Sequence, residues 1–408
     1  MLRVGLFSPS ISEVTAIPGA DLSSPRSARD LGVDVARGFA LISMFVAHTA
    51  PSGGPGNLLG LSEYLTAPLF ATLIGMGTWL GWTRLDGRAH RSGRFLVGVV
   101  VRSVGLIATG LLLERLNVQV YIILVHLGVL TMLAALLVGV RSSVIGAAGI
   151  LLAVLGSSLP GHVALTHLPL LDDSPLAPYP LTFRDYGVTH LLAWGCLGII
   201  LARRSVLTHG FLGSRSRNPQ GNRSTWRLVR GDTVLTAGTL ALAAGIWVAR
   251  AAGLISMYAY QRNLAEVTFD ALLCTAAVCG SAVLVHLFRG PILRAIATAG
   301  AMTLTLYVAQ VLVLAAFVAL NPGVSDDSWP MLIGLVVGSL AFAVLWRALV
   351  RTGAFARGPL EGVIGLGVRA TEKLWPEPSY TPGSDLTDGR PQLQTLKPVQ
   401  ARGQSEAE

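Results

Sequence analysis

Apolar residues fall in ten runs long enough to cross a bilayer, and polar residues gather between them. The runs lie at about 33–50, 64–83, 95–113, 118–140, 143–159, 187–202, 233–253, 268–288, 296–320 and 331–350. A hydrocarbon core of ~30 Å asks for about 20 apolar residues in a helix, because lipid offers no partner to an open backbone. The pattern predicts an all-α polytopic membrane helix bundle of about ten transmembrane helices over residues 31–352. The sixth run is short, and no run repeats another. Residues 1–30 are rich in Ser and Pro, hold no apolar core of signal-peptide length, and are expected to be a flexible lead. Residues 353–375 read as a short amphipathic helix at the membrane interface, with Arg357, Arg369 and Lys373 toward the headgroups. There Glu361 reads either as the partner of a basic loop or as a plain surface carboxylate. Residues 376–408, rich in Pro, Gly, Gln and Ser, are expected to be a disordered tail.

Charge orients the bundle. Alternate loops hold Arg84, Arg88, Arg91 and Arg94, then Arg141, then seven arginines between Arg203 and Gly231, then Arg289 and Arg294. The intervening loops hold Asp172, Asp173, Asp185, Asp326 and Asp327. Basic loops stay in the cytoplasm, so both termini are expected there and the location is a cell membrane. The stretch from Arg203 to Gly231 reads as a flexible basic connector against anionic headgroups.

Composition narrows the classes. The chain has 408 residues, 52% hydrophobic and 13% charged, which argues against a soluble domain. The net charge of +9 comes almost wholly from arginine, Lys373 and Lys397 being the two lysines. In so apolar a chain this charge orients spans rather than binding nucleic acid, and the arginine bias suits a GC-rich bacterial genome. Cys196, Cys274 and Cys279 all lie in apolar runs and read as small packing residues. No P-loop and no HExxH motif is present.

The first run contains the chemistry. LGVDVARGFALISMFVAHTA carries Asp34, Arg37 and His48. At 100° per residue the eleven steps from Arg37 to His48 make three turns plus about 20°, and the fourteen from Asp34 stop about 40° short of four turns. All three share one face, with His48 roughly 16 Å along the axis from Arg37. Ionisable groups placed so deep mark a bundle interior or wet cavity. The alternative is an interfacial i,i+3 ion pair plus a histidine at the membrane edge. A neutral imidazole with the ordinary pKa near 6.5 can take the proton that a hydroxyl or amine loses on attacking a thioester.

The block DVARGFALISMFVAH resembles the first helix of the transmembrane acyltransferase superfamily, which includes heparan-α-glucosaminide N-acetyltransferase, the O-antigen and peptidoglycan O-acetyltransferases and the bacterial YeiB-like proteins. Arg37 and His48 match the spacing of Arg, ten residues, then His in the O-acetyltransferases. ILVHLGVL from Ile123, YPLTFRDYGVTHLLAWGCLGIILARR from Tyr179, AGAMTLTLYVAQ from Ala299 and GPLEGVIGLGVR from Gly358 are similar to the YeiB-like branch. The likeness runs from about residue 29 to 370. It implies transfer of an acyl group, acetyl above all, from cytoplasmic acyl-CoA to an acceptor on the other side, such as a glycan or lipid-linked sugar. Asp34, Arg37 and His48 would then be catalytic, with Arg37 at a cationic mouth for the phosphates of coenzyme A.

Arg102 lies eight residues, roughly 12 Å, inward of Arg94 and needs a partner, either Asp34 or an anionic ligand such as those phosphates. Thr303, Thr305, Tyr307 and Gln310 form a polar stripe, read as interhelical hydrogen bonds or as cavity lining. Tyr307 and Gln310 are the residues taken to reach the co-substrate. His126 and His190 read as packing residues and stand next in line as bases. The loop from Gly161 to Gly187, with His162 and His167, is long enough to cover an acceptor site, and its spacing predicts no metal. Membrane lipids and acyl-CoA are the expected partners, and self-association into a homo-oligomer is left open. The second reading is a transporter or transport-associated protein, since buried Arg, His and Asp also build proton and anion paths. The third is a non-catalytic scaffold.

Overall fold

The computed structural model describes residues 25–51, 58–84, 91–116, 118–158, 187–210, 221–261, 263–288 and 290–373. Among them there is no strand. The helices are α1 (Pro25–Thr49), α2 (Leu61–Arg84), α3 (Arg91–Leu113), α4 (Leu124–Leu137), α5 (Ser142–Ser158), α6 (Val188–Gly210), α7 (Gly221–Ala251), α8 (Leu264–Leu287), α9 (Pro291–Ala301), α10 (Thr303–Leu320), α11 (Trp329–Leu349) and α12 (Pro359–Lys373). α1, α3, α7, α8, α10 and α11 hold stretches long and apolar enough to cross a membrane, and α4 and α5 are apolar but shorter. The chain is therefore a helical, membrane-embedded protein. Hydroxyls inside the helices satisfy themselves on the preceding turn, as Thr49 does on Phe45 O and Thr131 on Leu127 O, both at 2.8 Å.

Four elements differ from the sequence expectation. α1 starts at Pro25, inside the expected flexible lead, because proline suits the first turn of a helix and the chain can extend the first span backwards from there. Residues 1–24 and 376–408 lie outside the described residues. The basic stretch after Arg203 is helical at both ends, α6 running to Gly210 and α7 beginning at Gly221. Arginine is a good helix former, so a run of positive charge fixes the side of the membrane without breaking the backbone.

The ninth run is two helices. Met302 leaves the helical region at φ −116°, ψ 29°, separating α9 from α10. Hydropathy alone does not register such a break, since both halves are apolar. α9 crosses α1 so closely that a Cβ on Gly300 would strike the Asp34 carbonyl and one on Gly38 would strike Ile296 O. These contacts advance in opposite directions along the two helices. α2 and α6 meet in the same way at Gly75 and Gly195. Small residues at helix crossings let backbones approach where lipid supplies no hydrophobic drive.

The terminal helix also departs from a simple surface position. After a 3-10 turn at Ala354–Arg357, α12 turns one face to α3. Ile364 packs at Gly105, Gly367 at Val101 and Val368 at Gly98. Gly105 lies midway along the apolar stretch Gly93–Leu113, so α12 reaches the middle of a span. Val363 and Leu366 stay exposed on its other side.

Candidate functional site

Helix α1 is the spine of the candidate site, with a polar group at each end of its inward face. At one end Arg37 Nη1 donates to Asp34 Oδ1 at 2.8 Å, across a single turn, and both side chains are half-buried. At the other end the His48 ring stands against α10, with Gln310 Nε2 at 3.0 Å from His48 Nδ1. Gln310 is buried, and its Oε1 has no hydrogen-bond partner among the described residues.

This contact fixes the imidazole. With the amide N–H donating, Nδ1 is the acceptor and the ring proton sits on Nε2. With the amide turned over, Oε1 accepts from Nδ1–H and the Nε2 lone pair is left free. Carboxamide N and O have nearly the same shape, so one site admits both states. Tyr307, one turn before Gln310, is buried and hydrogen-bonded by the backbone at Ile123, the N-cap of α4. It ties α10 to α4.

Two carboxyl groups that the sequence did not mark as site residues, Asp326 having counted there only as a loop acid, belong to the same end. Glu114, just past α3, acts electrostatically on Tyr307, and burial pushes its carboxyl above the ordinary range. Asp326 is 3% exposed in the segment after α10, where Ser328 N–H donates to Thr49 O at 3.0 Å. Burial raises its carboxyl as well. Their signal in the sequence is weak: each is an acid at the edge of an apolar run, indistinguishable there from a surface acid.

At the Asp34 end two arginines, one from α1 and one from α3, meet α2. Arg37 of α1 approaches Gly77, its Nη2 3.4 Å from where a Cβ would stand. Arg102 of α3 approaches Gly81, Nη1 at 4.0 Å by the same measure. Gly77 and Gly81 are one helical turn apart, so both guanidinium groups lie along one face of α2. Arg102 is exposed, and Asp34 accepts from Arg37. The residues read as reaching the co-substrate therefore form two groups, Arg37 with Arg102 and Tyr307 with Gln310.

Glu361 has a role of its own. Its Oε1 accepts from Thr305 N–H at 3.1 Å and its Oε2 from Thr305 Oγ1 at 2.5 Å. Thr305 Oγ1 in turn accepts from Leu360 N–H at 3.2 Å. Thr305 is at the third position of α10 and Leu360 at the second of α12, so each helix satisfies an open donor of the other. A carboxylate between two helix N-termini is stabilised by both dipoles. Burial still pushes Glu361 above the ordinary carboxylate range against these donors. Sequence alone suggested a basic loop or solvent as its surroundings; the break at Met302 exposes the Thr305 N–H that it binds instead.

The remaining candidates are placed as packing residues. His190 Nε2 is 3.4 Å from Ser157 Oγ and its ring lies 6.1 Å from that of Trp194. His126 is buried with its ring 5.8 Å from that of Tyr121. The three cysteines are buried thiols. His162, His167, Asp172, Asp173 and Asp185 lie outside the described residues. No family model matches the chain, and no curated protein matches it significantly.

Proposed function

We propose that the protein is an integral membrane acyltransferase moving an acyl group, acetyl above all, from cytoplasmic acyl-CoA to a hydroxyl or amine on the far side, such as a glycan or lipid-linked sugar. The observation that carries this reading is the pairing on α1 of a cationic end with an end whose histidine is hydrogen-bonded by Gln310. In this reading about ten segments span a bacterial cell membrane, the basic loops and both termini are cytoplasmic, and His48 faces outward.

Arg37 and Arg102, aligned on one face of α2, suit the phosphates of coenzyme A, which two guanidinium groups bind through charge-assisted hydrogen bonds. The pantetheine arm then follows α1 for roughly 16 Å to His48. There the acceptor's lone pair attacks the thioester carbonyl carbon while His48 Nε2 takes its proton. The C–S bond breaks, the coenzyme leaves as thiolate and receives that proton, and an ester or amide remains. With its amide turned over, Gln310 Oε1 accepts from Nδ1–H and keeps the Nε2 lone pair available. Glu114 and Asp326 supply polar groups for an acceptor.

One observation favours transport as the second reading: the break between α9 and α10 frees the first N–H groups of α10 for other partners, as in discontinuous helices that line ion sites. The deciding experiment is titration of the purified protein with acetyl-CoA and longer acyl-CoAs. Saturable binding competed by coenzyme A supports the acyltransferase, and no binding by any of them removes it.

A further inference from the structure

A second polar site lies away from the first, between α8 and α2. Asp270 is 2% exposed, six residues into α8, and its Oδ1 has no hydrogen-bond donor among the described residues. Cys274, one turn further on, is fully buried as a free thiol. Thr72 of α2 faces that thiol; its hydroxyl is fully buried and makes no hydrogen bond to oxygen or nitrogen among the described residues. Glu266, one turn before Asp270, completes a ladder at i, i+4 and i+8 along α8.

The charged and titratable neighbours are few. Glu266 acts on Asp270 from the same helix, and its carboxylate already accepts from Tyr260 N–H at 2.6 Å. Tyr64 of α2 feels Asp270, Glu266, Glu63 and Arg250, and its hydroxyl lies 3.4 Å from Met257 O. Arg250 of α7, the cation of this region, is committed elsewhere. Its Nε donates to Met257 O at 2.6 Å and its guanidinium covers the rings of Trp247 at 4.6 Å and Tyr258 at 5.5 Å. No charged group of α1, α5 or α6 acts on Asp270 among the described residues.

A buried carboxylate persists only with a cation, a metal or a set of donors, and otherwise takes up a proton. Among the described residues no three His, Cys, Asp or Glu groups stand together to hold a metal. We propose that Asp270 is a proton-binding site, reached from the start of α8 through Glu266, so that the protein exchanges a proton with the side of the membrane where α8 begins. Cys274 and Thr72 close the inner end of the ladder. This inference stands apart from acyl transfer and holds or fails without it.

The test uses the full-length protein in micelles and the hydrophobic reagent dicyclohexylcarbodiimide, which modifies protonated carboxyl groups in apolar surroundings. The carboxyl oxygen adds to the carbodiimide carbon as the acid proton moves to nitrogen, and acyl migration leaves a stable N-acylurea. The expected result is an adduct on the peptide carrying Asp270 when the reaction is run at mildly acidic pH, none when it is run at alkaline pH, and none in Asp270→Asn. Glu266→Gln should slow the decline in labelling by freshly added reagent after a jump to alkaline pH. An unmodified Asp270 at acidic pH, while other carboxyl groups react, overturns the site. An adduct unchanged between acidic and alkaline pH overturns the exchange.

Discussion

His48 and Gln310 are 262 residues apart in the chain and meet at 3.0 Å, joining the Nδ1 of an α1 imidazole to the side-chain amide of α10. The ring's second nitrogen is thereby assigned to whatever approaches from the other side. Gln310 acts through His48, as a positioning residue.

Gln310→Ala should lower the rate of transfer by about tenfold or more, since it removes the hydrogen-bond partner of Nδ1 that holds the ring of the base in place, and should leave acyl-CoA affinity unchanged. Gln310→Glu should keep most activity, because a carboxylate accepts from Nδ1–H. Steady-state kinetics on both variants separates this role from mere packing, which predicts loss in both.

Arg102→Ala should weaken acyl-CoA binding roughly 10- to 100-fold, as expected for a lost charge-assisted hydrogen bond of about 1.5–3 kcal/mol. Arg102 is exposed, so the melting temperature should hold. Unchanged affinity with a lowered Tm assigns the residue to structure instead.

Glu361 should give the protein a pH-dependent stability. A carboxyl raised above its unfolded value of 4.5 contributes fully below that value, and the contribution is lost as pH rises through the folded pKa. Glu361→Gln should therefore melt at or above wild type at neutral pH, with the difference closing as pH falls. Glu361→Ala removes the acceptor from α10 and should cost about 1 kcal/mol at either pH. Thermal melts of the three proteins across pH measure this directly.

The crossing of α1 and α9 should resist any side chain. Gly300→Ala places a methyl on the Asp34 carbonyl and should cost about 1–3 kcal/mol. Gly338→Ala on α11, where a Cβ meets nothing within 4 Å, is the control and should be neutral or stabilising by up to about 1 kcal/mol. A thermal shift assay reads both.

Much of this was legible in the sequence because helical periodicity and lipid impose strong patterns. The Asp34–Arg37 pair follows from spacing alone, and the inward polar stripe on α10 carried Gln310 to the histidine it meets. The break at Met302 was not legible, since hydropathy is continuous through AGAMTLTLY and only Thr303 and Thr305 hint at it. Glu361 depended on that break. Asp270 was passed over inside a predominantly apolar run; its burial shows only when the facing side chains of α2 and α7 are in place. α12 read as interfacial because its composition is amphipathic, whereas Gly98 and Gly105 of α3 make room for it at depth.

The most direct test of the central claim is His48→Ala in the purified protein, with acyl transfer and acyl-CoA binding measured side by side. Transfer should fall by roughly 10²- to 10⁴-fold, as for loss of a general base, while affinity for acyl-CoA changes little because the arginines lie at the other end of α1. Full transfer activity in the variant would contradict the account, as would a parallel loss of binding.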